Sequence, residues 1–154
     1  MHETAVIESP VGRLKISIEQ NCLSSITLNS SLALSAPLTR MGKRVESQIR
    51  DYFRSAGNSF QIPILPKGTE FQTRIWLALV DIPPGKVMTY GELAKKLGTS
   101  ARAVGNACRR NPTPIVVPCH RVVAQNGLGG FAGDTEGVLT SIKSKLLAHE
   151  GIRL

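Results

Sequence analysis

The stretch Asn111-Pro112-Thr113-Pro114-Ile115-Val116-Val117-Pro118-Cys119-His120-Arg121-Val122 constrains this chain more than any other. Three of its residues are prolines, and each fixes its own φ and biases the residue before it toward extended backbone. Ile115-Val116-Val117 between them is an apolar, β-branched run suited to a buried, extended segment. The stiff run ends on a thiol with an imidazole beside it. Proline before Cys119 is a common way to open a helical turn. A thiol at a helix N-terminus near basic side chains has its thiolate favoured. Arg109, Arg110 and Arg121 are the nearby basic residues. The bland alternative is a cysteine buried as a small hydrophobe. The flanking histidine, the proline mount and the basic neighbours favour a reactive nucleophile instead.

With 154 residues the chain can bury a core without staples. No apolar run approaches the ~20 residues of a membrane span, and the N-terminus has no secretion-signal pattern. Cys22, Cys108 and Cys119 are an odd number without a CxxC pair. That argues against a disulfide framework or zinc ribbon and fits a reducing, cytoplasmic setting. His2 and Cys22 lack the four-ligand spacing of a metal site.

The net charge of +8 is uneven. From Gly85 to Gln125 seven basic residues (Lys86, Lys95, Lys96, Arg102, Arg109, Arg110, Arg121) face Glu92 alone. Such a stripe is the footprint of a phosphate-backbone partner; a merely solvated basic face is common, but the concentration around one motif favours nucleic acid.

Thr4–Ser9, Arg13–Glu19 and Leu23–Leu28 read as three short strands joined by tight turns, an antiparallel meander. Leu38 to Ala56 has helical spacing of Met41, Val45, Ile49, Tyr52 and Phe53. The expected division is a small α/β domain over 1–62, a linker over 63–69 and a mainly α domain over 70–154. Thr69-Glu70-Phe71-Gln72 and Thr89-Tyr90-Gly91-Glu92 are capping boxes, each opening a helix. In the first, Phe71, Ile75, Leu77, Leu79 and Val80, with Trp76, give an apolar helix, with Trp76 expected in the core. The second, closed by Gly98 and followed by a helix from Ala101 to Arg109, makes a helix-turn-helix candidate. Ala101, Ala103, Gly105 and Ala107 leave that last helix little bulk, so it should approach DNA closely and read few bases. The glycine-rich stretch Asn126–Gly133 is expected to wall a pocket. A final helix over Val138–His149 packs Val138, Ile142, Leu146 and Leu147 and delivers Glu150.

The segment from Asn111 to Val122 resembles the active-site signature of the O6-alkylguanine-DNA alkyltransferases, which repair DNA by direct reversal. The resemblance runs from about Phe71 to Leu154. It includes Pro84-Gly85-Lys86-Val87-Met88-Thr89-Tyr90, Ala101-Arg102-Ala103-Val104-Gly105 and Leu146-Leu147-Ala148-His149-Glu150-Gly151. It implies a ribonuclease-H-like α/β N-terminal domain. It implies Cys119 as alkyl acceptor, His120 as base through a water, Glu150 orienting the imidazole and Asn111 bracing the turn. Tyr90 would help turn the damaged nucleotide out and polarise the base, with Arg102 filling the vacated stack. Ala103 would lie on the helix in the minor groove, and Thr99, Arg109 and Gln125 would touch phosphates. The Val122 carbonyl, Phe131 and the backbone near Ala132 would hold the flipped base. The implied partner is double-stranded DNA carrying O6-alkylguanine, and by extension O4-alkylthymine, bound by a monomer with little sequence specificity. A thioether sulfur is a poor leaving group and no second thiol resolves it, so one transfer per molecule without cofactor or metal is implied. Phe131 stands where the family commonly has tyrosine, and Asp134–Gly137 is an insertion.

Three other readings compete. A damage sensor of the same fold would lack the cysteine. A helix-turn-helix transcription factor would carry a bulkier reading helix. A cysteine hydrolase leaves the basic stripe unexplained.

Overall fold

The structure is a computed structural model that describes residues 2–129 and 137–154. The chain forms two compact units, the first from residues 1–67 with 112–114 and the second from 68–111 with 115–154.

In the first unit, β1 (His2–Ile7), β2 (Leu14–Glu19) and β3 (Cys22–Thr27) form an antiparallel sheet in the order β1-β2-β3. Gln20 and Asn21 join β2 to β3 with φ of 52° and 60°. Two positive φ values in a two-residue loop are the hairpin geometry whose twist matches the strands. Leu14, Ile16 and Ile18 recur at the strand period and are buried. β2 lies against α1 (Arg40–Arg54), whose buried Met41, Val45, Ile49 and Tyr52 are spaced three to four apart on one helical face. Thr39 caps α1 by accepting from the Gly42 N–H, and the Glu3 carboxylate accepts from the Leu38 and Thr39 N–H groups ahead of it.

Residues 63–67, expected as linker, are tied to β3 instead. The Leu23 N–H donates to Pro63 O and the Leu65 N–H to Leu23 O, each at 2.9 Å. The sheet edge needs acceptors and donors, and this extended run supplies them. The Ile26 N–H likewise donates to Pro112 O at 2.9 Å, so part of the proline segment belongs to this unit.

The second unit contains α2 (Glu70–Val80), β4 (Met88–Thr89), α3 (Tyr90–Leu97), α4 (Ala101–Arg109), a three-residue 3-10 turn (Cys119–Arg121), β5 (Val122–Val123) and α5 (Val138–His149). Both capping boxes form. Gly98 closes α3 at φ 68°, a left-handed conformation that suits glycine. Ser100 then caps α4 by accepting from the Ala103 N–H.

The apolar helix α2 is only partly buried, and Trp76 is not fully in the core. Only Ile75 and Leu79 are buried there, Trp76 is half-buried, and Phe71, Leu77 and Val80 are exposed. On α5, Val138 is likewise exposed, and Lys143 takes a place in the buried stripe with Ile142, Leu146 and Leu147. β4 and β5 pair in parallel, Met88 opposite Val122 and Thr89 opposite Val123. This pairing brings the start of α3 beside β5, the strand that follows the 3-10 turn. Among the described residues no helix is long and apolar enough to cross a membrane.

Candidate active site

Ile115 has φ 76° and is buried. A β-branched residue in the left-handed region is strained and persists only where its surroundings hold it. Pro118 then adopts φ −83° and ψ 67°, and the Cys119 N–H donates back to Val117 O at 2.8 Å. These are the marks of an inverse γ-turn. Asn111 Nδ2 donates to the same Val117 carbonyl at 2.8 Å. Two donors on one carbonyl fix the peptide that presents Cys119. The following turn closes when the Arg121 N–H donates to Pro118 O at 3.0 Å.

Cys119 is buried, and burial pushes its thiol up to about 11 despite a hydrogen bond from Asn111 and the positive charge of Lys143. This runs against the expectation that a helix N-terminus and the basic neighbours favour the thiolate. The helical piece is only three residues long, so it offers little dipole. The cation acting on the sulfur is Lys143 rather than an arginine.

His120 is wholly buried. Its Nε2 lies 2.8 Å from Glu150 Oε2, while its buried Nδ1 has no hydrogen-bond partner among the described residues. Burial holds its pKa below the ordinary histidine value, against the raising influence of Glu150. The ring is therefore neutral at pH 7. A proton on Nε2, donated to the carboxylate, leaves Nδ1 with its lone pair free to accept.

Glu150 is delivered by the end of α5. It also takes a two-pronged contact from Arg121, Nε to Oε1 and Nη2 to Oε2, both 2.8 Å. Arg121 Nη1 donates to Ile82 O at 2.6 Å. Planar guanidinium matches carboxylate geometry in this way, and two buried charges are tolerable only when so paired. Arg121 is thus an interior counter-ion and leaves the surface stripe. Lys86, Lys95, Lys96, Arg102, Arg109 and Arg110 are exposed.

Tyr90 opens α3 and is half-buried. Burial, with the thiols of Cys108 and Cys119, raises its phenol to about 12, so it remains a proton donor. Gly129, at φ 74°, sits where an added Cβ would lie 3.2 Å from Tyr90 Cε2, so the backbone closes on the ring. Val122 is buried, and its carbonyl accepts from Lys143 Nζ at 2.8 Å. Arg102 and Arg109 are exposed on α4, Ala103 is half-buried there, Thr99 lies in the turn between α3 and α4, and Gln125 is exposed beyond β5. Phe131 and Ala132, with the rest of the glycine-rich stretch from Gly130 to Gly133, lie outside the described residues.

Sequence reasoning passed over Lys143 and the pairing role of Arg121. The signal for Lys143 was a lysine on the apolar stripe of α5, three residues before Leu146 and one after Ile142. Nothing local flagged Arg121, because its partner is 29 residues away.

A buried thiol beside a neutral imidazole with one open nitrogen and a carboxylate behind it is an arrangement suited to thiol-dependent transfer or hydrolysis. Comparison with known proteins narrows this. Residues 70–152 match the family described as 6-O-methylguanine DNA methyltransferase, DNA binding domain. A methylated-DNA–protein-cysteine methyltransferase of Methanosarcina acetivorans is 36% identical, over 96% of this chain and 97% of that protein. The crystal structure of the Mycobacterium tuberculosis O6-methylguanine methyltransferase superposes with a TM-score of 0.81 at 33% identity, covering 100% of this chain and 95% of that one. The Mycobacterium tuberculosis OGT has also been solved in complex with DNA, with a TM-score of 0.78, 33% identity and coverage of 96% and 92%. The chain belongs to the methylated-DNA–protein-cysteine methyltransferase family.

Proposed function

We propose that this protein repairs double-stranded DNA by moving an alkyl group from O6-alkylguanine, and from O4-alkylthymine, to Cys119, once per molecule. The observation that carries the reading is the open Nδ1 of His120, buried in the turn that holds Cys119, with Glu150 on its other nitrogen. A thiol raised to about 11 is ionised in roughly one molecule in 10⁴ at pH 7, so it needs a base.

His120 Nδ1 takes the Cys119 proton through one water, and Glu150 orients the ring and balances its charge. The sulfur attacks the saturated carbon, a C–S bond forms and the carbon–oxygen bond breaks with its electrons passing to the base. The neutral Tyr90 phenol donates to the base and makes it a better leaving group. Asn111 braces the turn. No cofactor or metal enters this sequence of steps.

α3, the Gly98 turn and α4 act as a helix-turn-helix placed in the minor groove. The small side chains of Ala101, Ala103 and Gly105 support close approach with little base reading. Arg102, exposed in the first turn of α4, fills the stack when the nucleotide turns out. Thr99, Arg109 and Gln125 contact phosphates. The Val122 carbonyl, with Phe131 and Ala132, holds the base. The N-terminal unit is ribonuclease-H-like, and the protein acts as a cytoplasmic monomer.

Cys119→Ala is expected to bind a lesion duplex and transfer nothing. His120→Gln is expected to bind it and transfer ~10²–10⁴-fold more slowly, the span of general-base assistance. Single-turnover transfer by His120→Gln at the wild-type rate would remove the base from the reading. Arg102→Ala is expected to slow transfer with its residual binding intact.

A further inference from the structure

One buried charge on α5 stands outside the steps above. Lys143 has 0% of its surface exposed and lies in the stripe of Ile142, Leu146 and Leu147, where an apolar residue would cost far less. Its Nζ donates to the Val122 carbonyl at 2.8 Å and stands 5.7 Å from the centroid of the Tyr90 ring. Among the described residues, the titratable groups around it include Cys119 and His120 on the 3-10 turn, Cys108 on α4 and Tyr90 on α3. Arg121, on the same turn, is taken up by Glu150. Burial draws the Lys143 amine down to about 8, and negative charge on Cys119 or Cys108 draws it back up. The effect is mutual, since Lys143 favours the thiolate of Cys119.

The main-chain bond matters as much as the charge. Val122 is three residues beyond Cys119 and belongs to β5, which pairs with β4. The ammonium is therefore anchored to the backbone that carries the nucleophile, and it does not depend on a flexible surface stem.

We propose that Lys143 is a positioning residue of alkyl transfer, whose buried ammonium holds the negative charge of the Cys119 sulfur as the thiol proton leaves. The proposal rests on Cys119 being the alkyl acceptor. The S–H bond breaks, the proton passes to His120 Nδ1, and the electron pair stays on sulfur until it forms the C–S bond. Lys143 keeps its own proton throughout, so a permanent cation could replace it and a neutral side chain of similar length could not.

The test uses the free protein and iodoacetamide, with modification mapped to the peptide containing Cys119. For Lys143→Met the rate between pH 6.5 and 7.5 is expected to fall ~10-fold, equivalent to about one unit in the thiol pKa. The gap should narrow above pH 8, where the wild-type amine sheds its proton. Lys143→Arg should restore the rate at neutral pH. A folded Lys143→Met protein with the wild-type profile, or with a deficit equal at every pH, would overturn the proposal. Should Lys143→Met not fold, the iodoacetamide rate of the wild type is followed from pH 6.5 to 10. Its rise is expected to flatten where the Lys143 amine sheds its proton near pH 8, and a rise of about tenfold per pH unit throughout would overturn the proposal. Neither readout contains DNA, so failure of the repair reading appears separately, as unaltered mass after exposure to lesion DNA.

Discussion

The two units handle charge in opposite ways. In the first, the ion pairs Arg13–Glu8, Arg50–Glu46, Arg54–Asp51 and Lys67–Glu19 lie at the surface, with N···O distances of 3.1 to 3.4 Å. Its buried interior is apolar apart from small hydroxyl residues such as Ser17, Ser24 and Thr113. The second unit buries His120, Arg121, Lys143 and Glu150, with contacts of 2.8 Å. Exposed pairs contribute little to stability, and buried ones are costly to assemble. A domain selected only for stability has no use for four buried ionisable groups around one thiol. Their presence marks the second unit as the one built for chemistry.

The contrast can be broken from the interior first. Glu150→Gln leaves Arg121 buried without its counter-charge and is expected to cost ~3–5 kcal/mol, read from urea unfolding. A loss below 1 kcal/mol would mean that the cluster is wetter than its geometry indicates.

A smaller effect is expected from acid. The folded-state pKa of His120 lies below its unfolded value because burial opposes the charged ring. The unfolded chain therefore takes up the proton first. Stability attached to the neutral ring is present above pH ~6.5 and declines as pH falls through the folded value. His120→Gln should flatten that part of a Tm-against-pH curve, and an unchanged slope would place the acid sensitivity elsewhere.

The smallest effect belongs to the first unit. Arg50→Ala removes an exposed pair four residues apart on α1 and is expected to cost ~0.3–0.5 kcal/mol. A cost rivalling that of Glu150→Gln would end the comparison.

Legibility in the sequence followed the range of the interactions. The capping boxes at Thr69 and Thr89, the Gly98 stop and the three-strand meander are local, and each formed where the residues indicated. The parallel pair Met88–Val122 was invisible, since two residues per strand carry no pattern and the partners are far apart in sequence. The exposure of Phe71, Leu77 and Val80 was not legible, because an apolar side chain on a helix can face solvent without breaking the pattern. At the site, the motif from Asn111 to Arg121 placed the thiol and imidazole side by side. What it could not show was the direction of the thiol shift, which depends on how deeply folding buries Cys119. It also could not show that Arg121 faces inward, because only the end of α5 brings Glu150 to it.

The most direct test of the central claim is the intact mass of the protein after mixing with a duplex containing one O6-methylguanine. A gain of one CH₂, mapped to the peptide holding Cys119 and saturating at one per chain, is the expected result. No gain with retained preference for the lesion would contradict transfer and leave a damage sensor.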